Sequence, residues 1–243
     1  MSSPRFYLNQ NLAPGARVKL PPGPARHAAR ALRLVAGDTV ILFNGQGGEF
    51  AARIDRINKD EVAVSVTGFA VIERESGLNV MLAQGISAGE RMDYTLQKTV
   101  ELGVTAIQPI AAKRSVVKLA GERVDKRVAH WQGVVSSACE QCGRNRVPQV
   151  GQPLSLAAWL GQRPMGRLLF LSPLAASSLA SLARPEGVQI LVAGPEGGFE
   201  PDEIVALESA GAVPVRLGPR VLRTETAALA ALAAMQTLWG DFY

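Results

Sequence analysis

Two stretches near the C-terminal end hold the residue types that a ligand site needs. Ile190-Leu191-Val192-Ala193 is a continuously apolar run that empties into Gly194-Pro195-Glu196-Gly197-Gly198-Phe199. Three glycines in five positions let the backbone approach a flat ligand closely, because no Cβ stands in the way. A tight turn without a ligand would use the same glycines. The second stretch, Leu217-Gly218-Pro219-Arg220-Val221-Leu222-Arg223-Thr224-Glu225-Thr226-Ala227, is another strand end that runs through a loop into an Ala-rich helix. Arg223 and Glu225 stand at the mouth of that helix. They are candidates for chemistry by their place, and an exposed ion pair with a cap is the plainer reading.

Other chemistries find less support. No Walker A pattern occurs, and no Gly-x-Gly-x-x-Gly follows a strand. Cys139-Glu140-Gln141-Cys142 has the Cys-x-x-Cys spacing of zinc or redox sites, but it falls inside an expected helix with no second Cys/His pair to complete four ligands. No metal is expected. His27 and His130, the only histidines, share no motif with a serine or a reactive cysteine, which argues against a hydrolase triad.

The elements that must position these loops fall into two textures. From Gly37 to Thr67 the chain alternates like a β-meander, with strands at Asp38–Phe43, Glu49–Ile57 and Val62–Val66. The turns between them are Asn44–Gly48 and Asn58-Lys59-Asp60, and the spacing suggests a small barrel. Ala25–Leu34 reads as a short helix with Arg26, Arg30 and Arg33 on one side, either a solvated face or a stripe that tracks phosphates. From about Leu78 strands and helices alternate. Strands are expected at Asn79–Ile86, Val104–Ile110, Arg167–Leu171, Val188–Ala193 and Val213–Leu217. Helices are expected at Arg91–Leu102, Glu122–Gln141, from Pro201 and from Thr224. This is an α/β domain with a mainly parallel sheet, and loops at the carboxyl ends of such strands are where ligands bind. The boundary is expected near Glu73–Gly77.

At 243 residues one medium and one small domain are expected. The 47% apolar and 19% charged fractions are ordinary globular values. The best apolar run, Ala227–Leu238, is too short to cross a bilayer. The first five residues carry no apolar leader, and the cytoplasm is the expected location. The net charge of +5 is unevenly placed. Residues 1–71 hold nine bases and five acids, a net +4, so the N-terminal third carries most of the excess. That permits a polyanionic partner.

The paired Gly-Pro-Glu-Gly-Gly and Leu-Arg-Thr-Glu-Thr-Ala elements closely resemble the cofactor motifs of the SPOUT methyltransferases, whose C-terminal backbone forms a trefoil knot. Glu101-Leu102-Gly103-Val104, Lys113-Arg114-Ser115, Trp131 and Glu140-Gln141-x-x-Arg144-x-x-x-Pro148 are similar to the RsmE branch of that superfamily. So is the N-terminal His27-x-x-x-x-Leu32-Arg33-Leu34 with Gly37-Asp38. The resemblance implies a PUA-like β-barrel RNA-binding domain over 1–72 and a SPOUT methyltransferase domain over 73–243. It implies S-adenosyl-L-methionine as cofactor and N3 of a uridine in 16S ribosomal RNA of the small subunit as target. It further implies a homodimer with the knot at the interface, for which Ala227, Ala230, Ala231 and Ala234 offer a small-residue face. Cofactor contacts carried over by position are Leu171, Ser172, Gly194, Pro195, Glu196, Gly197, Leu217, Gly218, Val221, Leu222 and Thr226. Arg223 and Glu225 are the candidates for the chemical step. Arg114, Arg144 and the N-terminal arginines are the candidates for RNA. A non-catalytic RNA-binding assembly factor, an α/β enzyme for another nucleotide-like ligand and a SPOUT enzyme for another RNA stay open.

Overall fold

The computed structural model describes residues 3–59, 61–117 and 121–242. Asp60, expected in a turn, lies outside the described residues. Two compact units are present. One is the chain up to Glu75 together with Ser136–Val147, and the other is Ser76–Val135 with the chain from Pro148 onward.

In the first unit, alternating apolar residues make a meander of β3 (Thr39–Phe43), β4 (Glu49–Asn58) and β5 (Glu61–Ala70), flanked by the short β1 (Arg5–Tyr7) and β2 (Arg17–Lys19). β1 pairs in parallel with β3, and β2 pairs antiparallel with β5. The result is a five-stranded mixed sheet in the order β1-β3-β4-β5-β2. Val40, Leu42, Ile54, Val62, Val64 and Val66 point to one face and are buried with Phe6 and Leu20, as the period of two requires.

The expected helix over Ala25–Leu34 takes another form. α1 (Pro22–Arg26) starts earlier, at a proline whose missing N–H costs nothing in the first turn. A wider π-helical turn, His27–Ala31, then closes with Leu32 N–H donating to the His27 carbonyl. Arg33 lies beyond it with φ 53°, so Arg26, Arg30 and Arg33 are all exposed but share no helical stripe.

Buried polar contacts hold the remainder of this unit. Arg5 pairs with Glu49 at 2.7 Å, and the Tyr7 backbone N–H donates to Glu140. Arg144, expected at RNA, is 4% exposed, and its guanidinium donates through Nε and Nη2 to both carboxylate oxygens of Glu75. A buried, paired guanidinium of this kind braces the fold and does not face a phosphate.

In the second unit six parallel strands run in the order β11-β9-β10-β6-β7-β8. They are β6 (Val80–Gly85), β7 (Ala106–Ile110), β8 (Gln149–Val150), β9 (Arg167–Leu171), β10 (Gln189–Ala193) and β11 (Val213–Val215). Every residue of β10 is buried, as its unbroken apolar run requires. The helices are α2 (Glu90–Glu101), α3 (Glu122–Cys142, whose last turns belong to the first unit), α4 (Leu156–Leu160), α5 (Pro201–Ser209) and α6 (Thr224–Trp239). Gly103 ends α2 with φ 85°, the left-handed conformation that a helix C-terminus favours in glycine. The C-terminal helix is tied down by Gln236, which donates to the Leu102 carbonyl and accepts from Ser76. Among the described residues no helix is long and apolar enough to cross a membrane.

Candidate active site

β9, β10 and β11 lie beside one another and end at Leu171, Ala193 and Val215. The loops that follow enclose a cavity of about 600 Å³, within the range of small-molecule sites. Leu171 and Ser172 form one wall, Gly194 to Gly197 a second, and Leu217, Gly218, Val221 and Leu222 a third. Arg223 and Glu225 also line it. Of the expected cofactor contacts only Thr226 is absent from the lining, and it is exposed instead. One turn of α6 carries threonines on opposite sides, and the one that faces inward is Thr224.

Thr224 is buried, and its hydroxyl donates to the Gly194 carbonyl at 2.6 Å while accepting from Gln84 Nε2 at 3.0 Å. Gln84 itself is fully buried at the end of β6 and also donates to the Gly85 carbonyl. A Cβ on Gly85 would stand 2.4 Å from the Pro195 nitrogen, so the glycine loop rests directly on this backbone. Gln84 and Gly85 carry no site signal in the sequence, and Thr224 lies in the second stretch with no role of its own there. Their roles come from contacts across about 110 to 140 positions of chain, which local patterns do not carry.

Gly197 lines the cavity, and a Cβ there would meet Arg114, 2.9 Å from that side chain. Arg114 is a brace for the loop. It donates to the Gly197 carbonyl at 3.1 Å and pairs with Glu200 through two nitrogens. This brace uses three of the five N–H donors of a side chain that is 46% exposed, so contact with RNA stays an expectation for it. Glu200 and Glu203 complete a capping box on α5, and Glu203 also accepts from the Lys113 backbone N–H.

Glu196 is anchored to the start of α2. Its Oε1 accepts from the Ala88 N–H at 3.0 Å and from Arg91 at 3.2 Å. Burial pushes this carboxyl up, but the Ala88 N–H, its own N–H and Arg91 outweigh that and hold it below the ordinary carboxylate range. Its Oε2 and the Oε2 of Glu225 are buried without a hydrogen-bond partner among the described residues. Both carboxylates line the cavity, and two acidic groups on one wall favour a ligand carrying positive charge. S-adenosylmethionine, with a sulfonium, an ammonium and ribose hydroxyls on an otherwise apolar adenosine, fits both these carboxylates and the apolar lining.

The cysteine pair behaves structurally. Cys139 is buried, its thiol is pushed up to about 12 by burial, and it contacts the Arg146 carbonyl at 3.7 Å. Among the described residues no group of three His, Cys, Asp or Glu is placed to hold a metal ion.

Known proteins share this fold. Residues 74–236 match the family described as the RNA methyltransferase domain, and residues 25–67 match the RNA methyltransferase PUA domain. Ribosomal RNA small subunit methyltransferase E of Mycobacterium bovis is 34% identical over 96% of this chain and 91% of its own. The same-named protein of a Buchnera aphidicola strain is 31% identical over 98% and 95%. The structure of ribosomal RNA small subunit methyltransferase E from Neisseria gonorrhoeae bound to S-adenosyl methionine is 44% identical, covers all of both chains and superposes with a TM-score of 0.92. A methyltransferase structure from Legionella pneumophila with bound SAM superposes at 0.96 with 38% identity, again over all of both chains. The chain belongs to the RNA methyltransferase family that includes ribosomal RNA small subunit methyltransferase E.

Proposed function

We propose that this chain is an S-adenosylmethionine-dependent methyltransferase acting on N3 of a uridine in 16S ribosomal RNA of the small subunit. The observation that carries the reading is the cavity at three adjacent strand ends, with its glycine loop on one side and two carboxylates in its lining. Bound there, the cofactor supplies a methyl group already activated by a sulfonium. The chain's own residues must then orient the acceptor and manage one proton. N3 of neutral uracil carries a hydrogen, so the nitrogen becomes a nucleophile only as that proton leaves. The Glu225 carboxylate, at the first turn of α6, takes it. Arg223, exposed at the rim of the same cavity, faces the negative charge that develops on the uracil carbonyls. Leu171, Ser172, Gly194, Pro195, Glu196, Gly197, Leu217, Gly218, Val221 and Leu222 hold the cofactor, and Thr224 fixes the loop behind it.

The division of labour follows the charge. Residues 1–72 are read as the PUA-like RNA-binding domain, with exposed Arg26, Arg30 and Arg33 contacting phosphate, and 73–243 as the SPOUT domain. The C-terminal path is read as the trefoil knot of the superfamily, and the pairing of β9 with β11 continues past the strand ends. Ser172 N–H donates to the Val215 carbonyl, and Ser178 bridges Arg216. A homodimer completes the reading. Ala227, Ala230 and Ala234 of α6 are half-buried and leave a shallow face for a second copy, whereas Ala231 is spent inside the unit. An enzyme for ribosomal RNA works where ribosomes assemble, in the cytoplasm. The test is calorimetric titration with S-adenosylmethionine followed by transfer of labelled methyl to small subunits that lack the modification. Saturable binding and one 3-methyluridine per subunit are expected, and absence of either rejects the assignment.

A further inference from the structure

Beside the cofactor cavity the second unit holds another hollow, of about 540 Å³, lined by α2, by Val134 of α3 and by Glu225 of α6. Arg91 and Glu225 line both spaces, so the two adjoin at the residues nearest the proposed chemistry. From the chemistry of its walls we infer that this hollow receives the target uridine, its base on the ring of Tyr94 and its carbonyl edge toward Gln97 and Arg91. The inference rests on the methyltransferase reading above and adds the place of the acceptor.

Each wall favours a nucleoside over other occupants. Tyr94 leaves 49% of its surface exposed on a helix whose other large apolar residues are buried, so its ring has a face unused by the fold. Every nucleobase offers a π-face to such a ring. Gln97 is exposed, and its amide makes no hydrogen bond among the described residues, leaving a neutral donor and acceptor for a base edge. Arg91 is held by Glu196 through Nη1, which fixes a guanidinium at the junction of the two spaces. Donors on the carbonyls that flank N3 stabilise the anion formed as its proton departs.

The acids exclude the other part of a nucleotide. Glu90 and Asp93 stand on the same lining and repel a phosphate, so the hollow suits an uncharged base with its sugar. Asp93 accepts from His130 at Oδ2, while its Oδ1 is buried without a partner among the described residues. The backbone phosphates of the flipped nucleotide then lie outside, as base extrusion requires.

The experiment uses the full chain and unmodified small ribosomal subunits. Methyl transfer is measured for Tyr94→Ala, Tyr94→Phe and Gln97→Ala, with cofactor affinity by calorimetry and mass by light scattering on each. Tyr94→Ala should lower kcat/KM for the subunit about ten- to hundred-fold, in line with the loss of one stacked base. Phenylalanine keeps the ring and should restore it to within about threefold, and Gln97→Ala should lose about tenfold. Cofactor affinity and mass should match the parent protein. A parent-like kcat/KM in Tyr94→Ala overturns the inference. So does an equal loss of cofactor affinity, or a change of mass with phenylalanine no better than alanine, which would make the hollow an interface between copies. A parent protein that binds no cofactor or transfers no methyl overturns the enzyme reading itself, and this inference with it.

Discussion

The Thr224 hydroxyl donates to the Gly194 carbonyl at 2.6 Å, joining the first residue of α6 to the first residue of the glycine loop. The two motifs that stand apart in sequence are thus one hydrogen-bonded object, with Gln84 of β6 behind it. Thr224→Val keeps the shape and removes the hydroxyl, so the Gly194 carbonyl and the Gln84 amide each lose a partner. A buried group left unsatisfied costs about 1–3 kcal/mol. Cofactor affinity should fall about tenfold and the melting temperature should drop by a few degrees. Thr224→Ser restores the hydroxyl and should bind like the parent in a calorimetric titration. Equal loss in both variants would show that the methyl, not the hydrogen bond, matters.

The glycines of the site differ in why they are glycine. At Gly85 a Cβ would sit 2.4 Å from the Pro195 nitrogen, an approach that backbone cannot relieve by a rotamer change. At Gly198 nothing lies within 4 Å, and only φ 69° opposes a side chain. Gly85→Ala should therefore displace the loop, costing roughly 1–3 kcal/mol in stability and most of the cofactor binding. Gly198→Ala should cost about 1 kcal/mol, the strain of a left-handed residue. Urea melts of both variants, with titrations of the folded protein, test the order.

Much of this site is legible in the sequence because its signals are local. The unbroken apolar run of β10, the glycines that follow it and the Ala-rich start of α6 at Thr224 each announce an element within ten residues. β9 ends where its apolar run does and begins one residue before it, at Arg167. The strands β1 and β2 are three residues each, too short for a period to form, and they exist only through pairing with β3 and β5. Arg144 misleads for a related reason. A charged residue reads as exposed until Glu75, 69 positions away, is found against it. The π-helical turn at His27–Ala31 depends on a hydrogen bond five residues back, which no spacing of apolar residues marks.

The Glu196 latch makes the glycine loop sensitive to acid. Hydrogen bonds from the Ala88 N–H and Arg91 hold the folded carboxyl below its ordinary value of 4.5 despite burial. A depressed carboxylate stabilises the fold fully above its unfolded pKa, and the contribution disappears as pH falls through the folded one. Arg91 is about half exposed, so the ion pair is worth no more than about 0.5–1 kcal/mol. Glu196→Gln should be less stable than the parent by about this amount at pH 7. The gap should begin to narrow below pH 4.5 and close beneath the folded value. Denaturation midpoints of both proteins from pH 7 to 3 show whether the curves converge. Parallel curves would mean that the carboxylate's charge contributes nothing to the loop.

The N-terminal arginines offer the sharpest separation of RNA binding from cofactor binding. Residues 1–71 carry four of the five net positive charges, and Arg26, Arg30 and Arg33 are exposed there. They sit on α1, on the π-helical turn and on a left-handed residue after it, so they fan out and do not form one stripe. A fan can still reach successive phosphates, and each phosphate neutralised adds about 0.7 to the slope of log affinity against log salt for single-stranded RNA. Reversing all three to glutamate should lower that slope by about 2 if each makes one contact. Affinity for unmodified ribosomal RNA near physiological salt should fall at least about tenfold. Cofactor affinity should stay at the parent value, because none of the three lines the cavity. Filter binding at four salt concentrations gives the slope, and calorimetry gives the cofactor constant. A slope equal to the parent's would make these arginines a solvated surface and move the RNA contacts elsewhere. A loss of cofactor affinity would show instead that the substitutions disturb the fold.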